Sequence, residues 1–311
     1  MVEPNIFIKQ RFCKDFRLPI TFFDEPYFEY FVELYDPLFS IKEKQEWLNS
    51  VLSKCNEQED FFQQAKHVSE GIKELIKNSD AYKDFNSRDM KDFPLLKNVS
   101  QQNIYIDPNV GKEMISIDLA KANFNSFRLF GLQEEIGCAT YDQLVKKFTD
   151  EQYFVESKMI RQVIFGDLNP SRQQTIQKYI IQNLCAELLK NGCEISSASS
   201  DEIIIKNKTD ILEVKDMLNN VDERFKFFRV EKFHFDRVHE EFDYFVKKTT
   251  NDKGEEKMEF KNTPSFLFPQ VYKQYYRMSL NEYDMLFRHE GYLSEFKEPV
   301  FKNDLKMSVK P

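Results

Sequence analysis

The chain contains no C-x-x-C pair and no H-E-x-x-H motif, and its five cysteines and four histidines are scattered along 311 residues. That excludes a disulfide framework and the common zinc signatures, so the cysteines read as reduced core residues of an intracellular protein. No apolar run approaches the roughly 20 residues that span a bilayer. The N-terminus also lacks the basic and apolar regions of a secretory signal. The expectation is therefore a soluble, cytoplasmic chain with no membrane partner. Internal repeats and low-complexity linkers are missing too, and 41% apolar residues argue against general disorder. Basic residues are in deficit, 44 Lys and Arg against 52 Asp and Glu, for a net charge of −8. That excludes a non-specific nucleic-acid coat protein, though not a locally basic groove.

What the chain has in abundance is aromatic side chains, 31 Phe and 14 Tyr, so its cores should be aromatic-rich. Residues 1–111 read as a mainly helical region, with Val68, Ile72, Leu75 and Ile76 on one helical face. This region is also the expected contact for any protein partner. A polar connection over 98–111 leads to a strand over 114–120 and then a turn or helix over 123–132. Helix is expected over 141–164. A longer helix after Pro170 carries Ile176, Ile180, Leu184 and Leu188 and stops at Asn191-Gly192. A strand over 195–205, an amphipathic helix with Ile211, Val214, Leu218 and Val221, and a strand over 225–235 follow. Segments 242–248 and 257–261 flank Asn251-Asp252-Lys253-Gly254, a hairpin signal, and 271–288 reads as helix. The expected fold is α+β. A palm-like antiparallel sheet over 112–270, of ferredoxin-like or RRM-like type, is backed by helices, with a short helical insertion over 133–166. Helical extensions lie at both ends, the last over 271–311.

Two strands present acids. Asp118 lies in Met114-Ile115-Ser116-Ile117-Asp118-Leu119-Ala120, and Asp201-Glu202 precede Ile203-Ile204-Ile205. Carboxylates entering apolar strands are expensive unless a metal or a partner neutralises them. Two such strands are the minimum for a two-metal phosphoryl-transfer site. Lys158, Arg161 and Phe165 share a helical face, which could hold phosphates and stack a base; it also fits an ordinary wetted helix face. Lys232, on a strand alternating aromatics and charges, and Lys247, Lys248 and Lys261 on the hairpin are candidate nucleic-acid contacts. They fit solubilising charges as well.

This order of motifs resembles the palm of template-directed nucleic-acid polymerases, and most closely a reduced, divergent family B DNA polymerase. Asp118 through Asn123-Phe124 is similar to that family's first motif. Lys158 and Gly166 match K-x-x-x-N-S-x-Y-G in register, with Phe165 in place of the Tyr. Ser199-Ser200-Asp201-Glu202 takes the place of D-T-D-S. The resemblance implies nucleotidyl transfer to a nucleic-acid 3′ end, with nucleoside triphosphates and a primer–template as partners and Mg²⁺ or Mn²⁺ as cofactor. Asp118 and Asp201 would be the metal ligands and Glu202 an auxiliary catalytic acid. Lys158, Arg161, Asn123 and Phe165 would bind the nucleotide. The sequence departs from the pattern at Ser199, where the family has an Asp, and at Asn123, where it has a sugar-sensing Tyr. Roughly 40 residues between Asp118 and Lys158 are too few for full-sized fingers. A degenerate palm that binds nucleic acid or assembles with protein fits these departures. A nucleotidyl cyclase, whose G-G-D-E-F turn is similar to Ser199–Ile203 in its acids, remains a third reading.

Overall fold

Helical spacing in the first hundred residues does produce helices: α1 (Ile6–Phe16), α2 (Tyr27–Phe39), α3 (Ile41–Ser53), α4 (Gln58–Asn78) and α5 (Asp80–Ser87). The computed structural model describes residues 2–97, 99–206, 210–219, 227–250 and 256–301. Next come β1 (Met114–Leu119), α6 (Ala122–Asn125), α7 (Leu132–Ile136), α8 (Tyr141–Lys146), α9 (Gln152–Glu156), α10 (Lys158–Gly166) and α11 (Pro170–Lys190). The chain continues through β2 (Ile195–Ala198), β3 (Glu202–Lys206), α12 (Ile211–Asn219), β4 (Phe228–His239), β5 (Phe242–Thr250) and β6 (Glu256–Lys261). It closes with α13 (Phe268–Tyr275), β7 (Leu286–His289) and β8 (Tyr292–Glu295). The fold is thus mixed helix and antiparallel sheet, in two compact units. Unit one holds residues 46–104 and 112–233, and unit two holds 4–45, 105–111 and 234 onward.

In unit one the strand order is β2-β3-β1-β4, antiparallel at each junction. Ile115 and Ile117 lie opposite Ile205 and Ile203, and all four are buried. At about 1.5–3 kcal/mol for each buried aliphatic side chain, this face dominates the local energetics. α11 packs on β2 and β3, burying Ile176, Ile180, Leu184 and Leu188 as its spacing requires. α4 buries Phe61, Val68, Ile72 and Ile76 and packs against α10.

Two segments differ from the sequence expectation in unit one. Residues 141–164 form three short helices, because side chains cap in mid-segment: Thr149 Oγ1 accepts from Glu151 N at 3.1 Å and Ser157 Oγ from Ile160 N at 3.1 Å. Residues 195–205 form a hairpin instead of one strand. Ser199 closes it, accepting from the amides of Asp201 at 3.2 Å and Glu202 at 3.0 Å. Val221, the start of the 225–235 strand and the Asn251–Gly254 turn lie outside the described residues.

In unit two the later part of β4 continues into β5 and β6. Leu267, Val271, Leu280, Met285 and Phe301 form its apolar core. The C-terminal region is not helical throughout. α13 ends at Tyr275, Arg277 takes a positive φ of 53°, and Asn281 caps the turn that leads into β7. β7 and β8 then pair across Glu290-Gly291, both with positive φ (50° and 86°), as a type I′ turn demands. Among the described residues no helix is long and apolar enough to cross a membrane.

A buried ion pair ties this unit together. Asp284 accepts from Lys273 Nζ at 2.6 Å, Tyr30 Oη at 2.7 Å and the Asn281 amide at 2.8 Å. Both charged groups are buried, so each depends on the other. Lys273→Met should cost about 3–5 kcal/mol by stranding the Asp284 charge, against about 1–2 kcal/mol for Tyr30→Phe, which removes one hydrogen bond. Urea denaturation measures both. Equal, small losses would refute the dependence of Asp284 on Lys273.

Candidate functional site

β-strand alternation sends Ile115 and Ile117 to one face of the unit-one sheet and Ser116 and Asp118 to the other. Antiparallel register then decides which residues join them. Asp118 lies opposite Glu202 on β3 and opposite Arg229 on β4; Ser116 lies opposite Glu231. One face therefore gathers Asp118, Glu202, Glu231 and Arg229 from three strands. The β2–β3 turn approaches the end of β1 directly, since Leu119 N donates to Asp201 O at 2.7 Å. The structure thus brings Asp118, Asp201 and Glu202 together from positions more than 80 residues apart in sequence.

The carboxylates are individually held. Ser116 Oγ donates to Glu202 Oε1 at 2.5 Å. Asp201 accepts from Ser199 Oγ at 3.0 Å and Ser200 Oγ at 3.4 Å and stays exposed. Arg229 reaches Asp118 at 3.3 Å and Glu231 at 3.4 Å. Asp118 nonetheless titrates above the ordinary carboxylate range. Burial raises it, Arg229 opposes, and Glu202, Asp201 and Glu231 push it further up. Among the described residues, no group of three or more His, Cys, Asp or Glu side chains is arranged to hold a metal ion. Arg229 and Glu231, which the sequence reading did not join to these acids, complete the charge pattern around Asp118. Their signal was the alternation of charge along β4.

The remaining expected residues are dispersed. Asn123 Oδ1 accepts from Gln177 Nε2 at 2.9 Å, which fixes it to α11. Lys158 opens α10 and is half-buried; Arg161, one turn on, stacks 5.7 Å from the Tyr141 ring centroid. Phe165 has no exposed surface and packs on Tyr141 and Phe127 at 6.0 and 6.2 Å. Its ring belongs to the aromatic core and is not offered to a base, because i+7 on this short helix points inward with Ile160 and Ile164. A groove of about 930 Å³ between α11 and α12, passing Phe93, Tyr179 and Leu218, contains none of the expected site residues.

The lysines assigned to nucleic acid are largely engaged within the protein. In unit one, Lys232 pairs with Glu113 at 2.8 Å. In unit two, Lys248 pairs with Asp236 and Lys261 with Glu259, each at 2.7 Å. Lys247 is 8% exposed, so its ammonium is not displayed as the hairpin reading expected. Pairing raises Lys248, with Asp236 the leading cause. Burial would raise Glu259, but Lys261, Lys257 and Lys247 outweigh it and hold the carboxyl at about 2.

Because the folded Glu259 carboxyl titrates below its unfolded value, its contribution to stability is present above the usual carboxylate range and disappears as pH falls toward 2. Glu259→Gln should therefore flatten the loss of stability between pH 5 and pH 2, measured by urea midpoints. Parallel curves for variant and parent would refute it. No protein-family model matches this chain, and no curated protein is recognisably similar to it.

Proposed function

We propose that unit one is a palm-like domain, its sheet of the ferredoxin-like or RRM-like kind, and that it carries out metal-dependent nucleotidyl transfer from nucleoside triphosphates to a nucleic-acid 3′ end. The observation that carries this reading is the register of β1. It sets Asp118 opposite Glu202, and the Leu119–Asp201 backbone bond holds the β2–β3 turn beside both. The donor set fits a hard cation in kind, being all oxygen. Asp118 and Asp201 would hold Mg²⁺ or Mn²⁺, with Glu202 assisting. A cation held there would supply charge stabilisation for the transferring phosphoryl group and its leaving oxygen.

The protein's own groups have distinct tasks in this reading. Ser116 orients Glu202 through its hydroxyl. Lys158 and Arg161 on α10 supply cations for the phosphates. Asn123 stands where the resembled family senses the sugar, tethered by Gln177. Arg229 pairs with Asp118 and would have to give way to a cation held there. Lys232, Lys248 and Lys261 remain the proposed duplex contacts, by exchanging their carboxylate partners for phosphates.

A second reading, a palm that binds nucleic acid or assembles with protein without catalysis, is favoured by that same Arg229 contact. A guanidinium on Asp118 supplies from the chain itself the positive charge that a metal would bring.

Extension of a labelled primer–template with Mg²⁺ or Mn²⁺ separates the two. Asp118→Asn and Asp201→Asn should each lower extension by more than about a hundred-fold, as loss of a metal ligand does. Duplex retention without extension in the parent protein would favour the second reading; neither would sink both. Independently, Arg229→Gln should tighten Mn²⁺ binding up to about five-fold by removing a competing, partly exposed ion pair worth up to ~1 kcal/mol. Titration followed by electron paramagnetic resonance reads this directly. Unchanged affinity would show that Arg229 does not contend for the site.

A further inference from the structure

Tyr141 is 1% exposed, and its hydroxyl has no hydrogen-bond partner. Two cations lie by the same ring: Lys121 Nζ at 5.5 Å and the Arg161 guanidinium at 5.7 Å from its centroid. Lys121 is placed there by backbone. It takes left-handed φ and ψ of 46° and 48° two residues after the end of β1, and Asn125 Nδ2 fastens the turn by donating to Ala120 O. Lys121 has a carboxylate 3.4 Å away, Asp142. Among the described residues the half-buried Arg161 forms no ion pair.

A buried phenol without a partner and a half-buried guanidinium without an anion are both costly. They lie together, beside a second cation and three residues beyond Asp118. One ligand chemistry satisfies all of them: an anion with several oxygens, able to accept from the phenol and from both cations. We infer that Lys121, Tyr141 and Arg161 form an oligophosphate pocket that takes the phosphate tail of a nucleotide. The inference deepens the nucleotidyl-transfer reading and rests on it for the nucleotide, while the anion chemistry stands on these three side chains. Tyr141 is a positioning residue for the cations as well as a donor.

Isothermal titration of the full chain with sodium tripolyphosphate, in buffer freed of divalent metal, tests it. Lys121→Gln and Arg161→Gln should each weaken binding by about ten-fold, as loss of a charge-assisted contact does. Tyr141→Phe, which keeps the ring and drops the hydroxyl, should weaken it by a few-fold. Lys121→Arg should retain most of the affinity, and Lys146→Gln, an exposed charge on the same helix as Tyr141, should match the parent. Neither cation is buried, so truncating it opens no core, and a thermal melt of each variant confirms folding. A nucleoside monophosphate should bind at least about ten-fold more weakly than tripolyphosphate, and a single-stranded oligonucleotide should not compete. Absence of binding by the parent, unaltered binding by Lys121→Gln, or displacement by the oligonucleotide would each overturn the pocket. Tripolyphosphate binding with the expected losses but no primer extension would leave the pocket standing and remove the transferase reading. Extension with Lys121→Gln binding as the parent does would remove the pocket alone.

Discussion

Everything at the candidate site depends on β1 being an inner strand of the unit-one sheet with a neighbour on each side. A strand paired on both edges has no freedom to slip, because moving one residue would exchange Ile115 and Ile117 for Ser116 and Asp118 on the face shared with Ile203 and Ile205. Burying two aliphatic side chains against the cost of burying a carboxylate fixes the register by several kcal/mol. Once it is fixed, the opposing residues are no longer free choices: Asp118 must face Glu202 on one side and Arg229 on the other. The acids are gathered by the apolar side of the sheet.

That gathering creates an electrostatic problem which Arg229 answers. Three other acids raise Asp118 through space, and its own burial raises it first. A guanidinium is well suited to the task because it stays charged and bridges two carboxylates from a fixed plane, here Asp118 and Glu231. The pairing is only half-buried, which matters. A fully buried pair of this type would cost several kcal/mol to separate, whereas a pair at the sheet surface can be exchanged for another cation at small cost. Under the proposed function the difference is what keeps the site usable.

The sequence made the large elements legible and left the joints obscure. The helix carrying Val68, Ile72 and Ile76 and the strand at Asp118 announced themselves because their periodicity spans several turns or a full apolar run. The joints failed wherever one polar side chain outweighs periodicity. Ser157 cuts the expected 141–164 helix by capping Ile160; Ser199 folds the expected 195–205 strand back on itself. Asp118, Asp201 and Glu202 were legible as a set because acids at the ends of apolar strands are unusual. Arg229 was not, since opposing it to Asp118 requires the register of β1 on β4. Phe165 shows the converse error. Helical spacing placed it with Lys158 and Arg161, but nine residues of helix have too little surface to keep a phenylalanine out of a core already holding Tyr141 and Phe127.

Ser199 shows how turn chemistry and site electrostatics constrain one another. Its hydroxyl accepts from two amides and donates to Asp201, so it closes the hairpin and orients an acid with one oxygen. A carboxylate at this position could accept from the same two amides, but it could donate nothing to Asp201. It would also add a further negative charge to a cluster in which Asp118 is already pushed upward. Arg229 is already shared between Asp118 and Glu231, so that extra charge would need a further cation. Serine keeps the turn intact without adding charge to the cluster. Ser199 and Arg229 are therefore two parts of one solution, a hairpin held against β1 with the charge of Asp118 and Glu231 met by a side chain of the protein itself.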